Sequence, residues 1–269
     1  MKRRDFLKQS LAATALTGLT ACSTTGEGKG HHGKAGTKQE YYEFRAYRLK
    51  PGADTALIDT FLEKAAIPAW NRLGCSPVGV FKEIEPKETT SVFVIVPHAS
   101  VGSYACVAAQ LKSDADYQAA GAAYLQAPKS GPAYQRIDSW LLKAFAGQPR
   151  IFVPEYSKAR GPRVFELRTY ESFSESKAAK KVEMFNAGEV QTMHEVGLAP
   201  IFFGEGLLGP NLPHLTYMTS GPDLKTHQAH WDAFGKHPTW VKLKDDPQYA
   251  DTVSKMTKWM LKPADYSQI

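Results

Sequence analysis

Apolar and polar residues alternate over 41–49 (YYEFRAYRL) and again over 163–171 (RVFELRTYE), the period-two pattern of a strand with two different faces. After the first of these, Leu57, Phe61 and Ala65 recur at helical spacing on one face, and Gly74 stands where such a helix would stop. Gly197 takes the same place after the second strand. Pro68 falls late in the first helix and is expected to bend or shorten it, because its ring collides with the carbonyl one turn back. Further strands are predicted at 77–84 and 91–97 around Lys87-Glu88, and at 200–208 and 214–219 around Pro210-Asn211. Helical stretches over 100–126 and 222–243 lead into closing strands at 137–145 and 254–262.

The order β-α-β-β-α-β therefore occurs twice, and the residues repeat with it. Tyr42-Glu43-Phe44-Arg45-Ala46-Tyr47 returns as Phe165-Glu166-Leu167-Arg168-Thr169-Tyr170, an offset of 123 that also pairs Gly74 with Gly197 and Pro77 with Pro200. Ser139-Trp140-Leu141-Leu142-Lys143 returns as Lys258-Trp259-Met260-Leu261-Lys262 at an offset of 119, so the second copy is four residues shorter before its last strand. Each copy is a split βαβ, or ferredoxin-like, unit with helices on one face of a four-stranded sheet. The bare faces need a cover, and each copy can cover the other. The predicted fold is thus α+β: two tandem ferredoxin-like units forming an intrachain α/β-barrel. The domains are 41–145 and 163–269, joined by 146–162, a connector with Pro149, Pro154, Gly161 and Pro162.

Alternation puts Glu43, Arg45 and Tyr47 on one face of the first strand, and Glu166, Arg168 and Tyr170 on the matching face of its repeat. Tyr42, Phe44 and Ala46, with Phe165, Leu167 and Thr169, suit the helix layer, so the Glu, Arg and Tyr side chains are expected to point into the barrel. There they either form a Glu–Arg network that docks the two sheets, or line a ligand pocket in which Arg45 or Arg168 holds an anionic or carbonyl group.

The 269-residue chain is 43% hydrophobic and 22% charged, which excludes collagenous, coiled-coil and largely disordered chains. Its net charge of +6 suggests nucleic acid until the charges are located. Lys2, Arg3, Arg4 and Lys8 against Asp5 place half of it in the first 21 residues, and no basic block follows, so nucleic acid is not an expected partner. That charged head precedes an apolar run, Leu11 to Ala21, too short for the ~20 residues of a membrane-spanning helix. Residues 1–21 read as an export signal. Arg3-Arg4-Asp5-Phe6-Leu7-Lys8 resembles the bacterial twin-arginine signal, and Leu19-Thr20-Ala21-Cys22 resembles the lipoprotein box, in which Cys22 is acylated. Residues 22–40, rich in glycine, form a flexible tether. The expected location is the periplasm or cell surface, with the membrane as a partner through the lipid.

Other chemistry is sparse. His227 and His230 lie at i, i+3 beside Trp231 on a helix, but no third metal ligand is fixed by the local pattern, and no metal site is assigned. His194 ends the helix of the second copy, where a cationic imidazole suits the dipole; near the barrel mouth it could also act as a base. Cys75 and Cys106 would meet an oxidising compartment and could pair. Phosphate-binding loop, nucleophile elbow and haem-attachment motifs are absent.

The Phe165-Glu166-Leu167-Arg168-Thr169-Tyr170 start, the Gly197-x-x-Pro200 before strand two and the close on Trp259-Met260-Leu261-Lys262-Pro263 resemble the NIPSNAP family. The first copy matches more loosely, with Arg45-Ala46-Tyr47 and with Ala144 where Pro263 stands. The resemblance implies the dimeric α/β-barrel fold, whose members include small monooxygenases, haem-handling proteins and isomerases. It supplies no catalytic residues and no cofactor, and animal relatives are linked to protein recruitment. The expected function is an exported, lipid-anchored protein binding a small molecule in its barrel, with monooxygenase- or isomerase-like chemistry that needs no cofactor. The alternative is a non-catalytic interaction or scaffold protein. The candidate ligand-binding residues are Glu43, Arg45, Tyr47, Glu166, Arg168, Tyr170 and His194, and self-association is left open.

Overall fold

The computed structural model describes residues 38–85 and 89–269. The export signal, Cys22, most of the tether and the Lys87-Glu88 turn lie outside the described residues. Among those described, no helix is long and apolar enough to cross a membrane.

The first copy contributes β1 (Tyr41–Leu49), β2 (Gly79–Glu83), β3 (Thr90–His98) and β4 (Arg136–Ala144). The second contributes β5 (Val164–Glu171), β6 (Phe202–Leu208), β7 (His214–Gly221) and β8 (Lys255–Pro263). They close into an eight-stranded barrel in the order β1-β3-β2-β8-β5-β7-β6-β4, every neighbouring pair antiparallel. β1 and β5 therefore run the same way, and the pseudo-twofold relating the copies lies along the barrel axis. Two seams join the copies. Phe81–Glu83 pair with Leu261–Pro263, and Leu141–Ala144 pair with Gly204–Leu208 across a bulge. Gly204 is required at the second seam, since a Cβ there would lie 2.7 Å from Leu142 Cβ.

The outer layer begins with α1 (Ala56–Phe61), which passes through a π turn (Leu62–Ala66) into α2 (Ile67–Arg72). Pro68 is accommodated rather than breaking the helix: the wide turn opens where its ring would meet the carbonyl of Lys64. The second copy has the same feature, α7 (Glu175–Met184), a π turn (Phe185–Glu189) and α8 (Val190–Glu195), with no proline in it. Gly74 and Gly197 end these helices at φ +77° and +85°. The next outer segment is α3 (Val101–Ser113), α4 (Ala115–Ala120) and α5 (Ala122–Leu125) in copy one. The connector carries α6 (Glu155–Lys158), and copy two has α9 (Leu224–Lys236) and α10 (Pro238–Lys244).

The expected faces are reversed. Tyr42, Phe44 and Ala46 pack with Phe81, Phe93, Phe165, Leu167, Phe202 and Leu261 in one cluster drawn from both copies, which is the barrel interior. Phe81 and Phe165 meet across a seam with ring centroids 4.8 Å apart. Glu43, Arg45 and Tyr47, and Glu166, Arg168 and Tyr170, instead look outward beneath the helices, where Tyr47 and Tyr170 belong to two separate helix-side clusters. Both faces of each sheet are buried, so alternation sorted the residues into the right sets but did not say which set faced in. The barrel's centre is filled with aromatic side chains.

Candidate functional site

Each copy holds its Glu-x-Arg-x-Tyr row between the sheet and the helices, beside a groove. In copy two, Arg168 donates from Nε to Glu166 Oε1 at 3.0 Å, with Nη2 at 2.9 Å from the same oxygen. The other carboxylate oxygen takes two donors from α9: His227 Nε2 at 3.0 Å, which must carry the proton against a carboxylate, and Trp231 Nε1 at 2.5 Å. Residues 227 and 231 are one helical turn apart, so α9 presents both to the same point on β5. The guanidinium of Arg168 lies 3.7 Å above the Trp231 ring, a close cation–π contact. Its Nη1 reaches Tyr170 Oη at 3.4 Å, and Tyr170 is bonded to Tyr217 at 2.8 Å.

Burial pushes the Glu166 carboxyl up, but the hydrogen bond from His227 and the charge of Arg168 outweigh it and hold the group below its ordinary value. Burial raises Tyr170 and, far more, Tyr217, so both stay protonated. The Arg168 side chain keeps 15% exposure, and the groove it borders encloses about 370 Å³ between Leu224, His227, Trp231, Lys258 and Met260.

Copy one has the same frame and different walls. Arg45 grips Glu43 with both Nε (2.6 Å) and Nη2 (2.8 Å), reaches Tyr47 Oη at 3.5 Å and lies 5.2 Å from the Trp70 ring. Burial works against the Arg45 charge, and Glu43 more than restores it. The groove, of about 440 Å³, is walled by α3 to α5 through Tyr104, Val107, Leu111, Tyr117 and Leu125, so it is mostly apolar. Among the described residues no helix donates to Glu43 as α9 does to Glu166. Instead His98 Nε2 stands 4.0 Å from Glu43, and His98 Nδ1 is 3.5 Å from Cys75 Sγ. Burial pushes His98 down to about 4 and, with the charge of Glu43, pushes the Cys75 thiol up to about 11, so both are neutral near pH 7. Cys75 is a free buried thiol, and no bridge joins it to Cys106.

His194 does not join either groove. Its Nε2 bonds Gln148 Oε1 of the connector at 2.9 Å and its ring meets Phe152 edge-on, beside the start of β6. Burial lowers its pKa, so it is a neutral imidazole paired with an amide rather than a cation on a helix end. His230 turns away from His227 and packs over Gly197. Among the described residues no group of three His, Cys, Asp or Glu side chains is placed to hold a metal. Two features escaped the sequence reading. His227 and Trp231 partner Glu166, which their i, i+4 spacing opposite β5 could have signalled. Lys181 and Glu189 form a buried ion pair at 2.6 Å behind Tyr170, and nothing in the linear pattern marks it.

Two ferredoxin-like units closed into one barrel, with paired grooves under their helices, define the dimeric α/β-barrel class. The NIPSNAP family profile matches residues 42–146 and 165–268, and the chain belongs to that family. No curated protein sequence matches it. The fold is similar to that of a Fusobacterium nucleatum protein described as a candidate monooxygenase (TM-score 0.54, 8% identity, covering 84% of this chain and 93% of that one). A Lactobacillus acidophilus protein described in the same way gives 0.53 at 8% identity, with 84% and 94% covered. An anthrone oxidase-like protein gives 0.52 at 7%, with 85% and 93% covered.

Proposed function

We propose that this is an exported, lipid-anchored protein that binds a small organic molecule in the groove of its second copy, with a carbonyl or anionic oxygen held by Arg168. The observation that carries the reading is the Arg168 guanidinium: stacked on Trp231, charge-balanced by Glu166, and still open to a cavity of about 370 Å³. A cation so placed polarises a carbonyl without a metal. His227 fixes the Glu166 carboxylate through Nε2 on the groove wall, while its Nδ1 is buried beside Gly221 with no hydrogen-bond partner among the described residues. Proton transfer beside a polarised carbonyl is the step of an isomerisation without a cofactor, and in an oxidation it precedes transfer of the electrons to dioxygen, the oxidant; the monooxygenase and anthrone oxidase-like descriptions of similarly folded proteins support that direction. The rival reading, a non-catalytic interaction protein, draws on how fully Glu166 is already supplied with donors. The Arg3-Arg4 signal and Cys22 support export and anchoring.

The test is extraction and mass spectrometry of small molecules from the full chain purified with its own N-terminal segment. The wild type should release a compound that Arg168→Ala has lost while keeping its circular dichroism. The same compound in both, or none in either, would count against the groove. For the anchor, Cys22→Ser should move the protein from the membrane fraction to the soluble one; retention on the membrane would refute lipidation.

A further inference from the structure

The barrel interior is layered. Its middle is dry and aromatic, but at the end where β1 and β5 finish it opens into a polar cavity of about 390 Å³. The floor is made by Trp140 and Trp259, both half-buried. Trp140 is tilted against Phe44 at 5.7 Å and fixed by its Nε1 donating to the Pro210 carbonyl at 3.1 Å; Trp259 is tilted against Phe93 at 5.6 Å. Above the floor, Asp138 spends one oxygen on Arg48 Nε at 3.0 Å and the other on Arg136 Nε at 2.9 Å. Arg48 Nη1 donates to Ser91 Oγ at 3.0 Å. That leaves Arg48 Nη2 and both terminal nitrogens of Arg136 with no hydrogen-bond partner among the described residues.

The carboxylate therefore works as a clamp that orients two guanidinium forks and is itself used up. Lys255 lies on the same rim, facing Glu171 at 3.4 Å, so three cations stand against two carboxylates. The spare guanidinium capacity is all donor and all cationic, and it outweighs the one carboxylate with room to spare, Glu171, which Lys255 faces across the rim. Guanidinium forks match carboxylate or sulfonate oxygens in pairs, and indole rings take a flat apolar ring against them. The volume is at the small end of the range for ligand cavities, enough for one or two fused rings.

We infer that the barrel mouth is a second binding site, independent of the groove, for a small organic anion carrying a planar ring: the ring rests on Trp140 and Trp259, and its carboxylate or sulfonate is held by Arg48 and Arg136. It uses the opposite face of the sheet from Arg168.

The probe is 2-naphthoate, with uncharged 2-naphthamide as its near-isostere, each titrated calorimetrically into the full chain. Naphthoate should bind at least tenfold more tightly than the amide. Arg48→Gln should erase that preference, and Trp140→Leu should weaken both ligands. The wild-type comparison needs no variant to fold. Equal affinity for acid and amide, or no binding of either at millimolar concentration, would overturn the proposal. So would loss of naphthoate binding in Arg168→Ala but not in Arg48→Gln, which would move the ligand to the groove.

Discussion

At the scale of single residues the two Glu–Arg pairs look alike and are supported differently. Glu166 keeps His227 and Trp231 as donors if Arg168 is removed, whereas Glu43 keeps only a long contact from Ser139 at 3.4 Å and a histidine at 4.0 Å. Arg45→Ala strands a buried carboxylate and should cost ~3–5 kcal/mol. Arg168→Ala should cost nearer ~1–2 kcal/mol, an ordinary point-mutant loss. Urea unfolding of both variants measures this, and equal losses, or a larger one at Arg168, would show that the helix donors do not compensate. The Glu, Arg and Tyr positions were legible as a repeated row because strand alternation is local. Their donors were not, since His227 and Trp231 come from another element 61 or more residues away in the chain.

At the scale of elements, the strands, the order β-α-β-β-α-β and the glycine stops were all legible in hydrophobic period and turn chemistry. Which face of β1 looked inward was not. Phe44 and Arg45 both leave water, one into an aromatic interior and the other under a helix layer that brings its own polar partners. Burial on both sides removes the usual contrast between an apolar inner face and a wet outer one. The π turns were equally hidden. Pro68 announces a disturbance in the first copy, but the matching turn at Phe185–Glu189 has no proline, and there Glu189 is drawn inward to meet Lys181.

At the scale of the whole molecule, the barrel belongs to neither copy. Phe165, Phe202 and Leu261 are buried only because Phe44, Phe81 and Phe93 face them. Residues 163–269 alone would expose that apolar face, so they should elute as a homodimer or precipitate, as large exposed apolar patches do. A stable, soluble monomer in sedimentation would contradict this. Placing the pseudo-twofold along the barrel axis has one more consequence, concerning what fusing two copies permits. In a symmetric pair each residue near the axis faces its own duplicate, so a dimer of first copies would set Arg48 across from Arg48, and a dimer of second copies Glu171 across from Glu171. Either dimer would repeat one set of groups on both sides of the opening, two Asp138-clamped arginine pairs in the first case and two Lys255–Glu171 pairs in the second. A single chain breaks that tie: one half is free to carry the surplus guanidinium charge around Asp138 while the other keeps a balanced Lys255–Glu171 pair, and the barrel gains a left and a right that no homodimer could have.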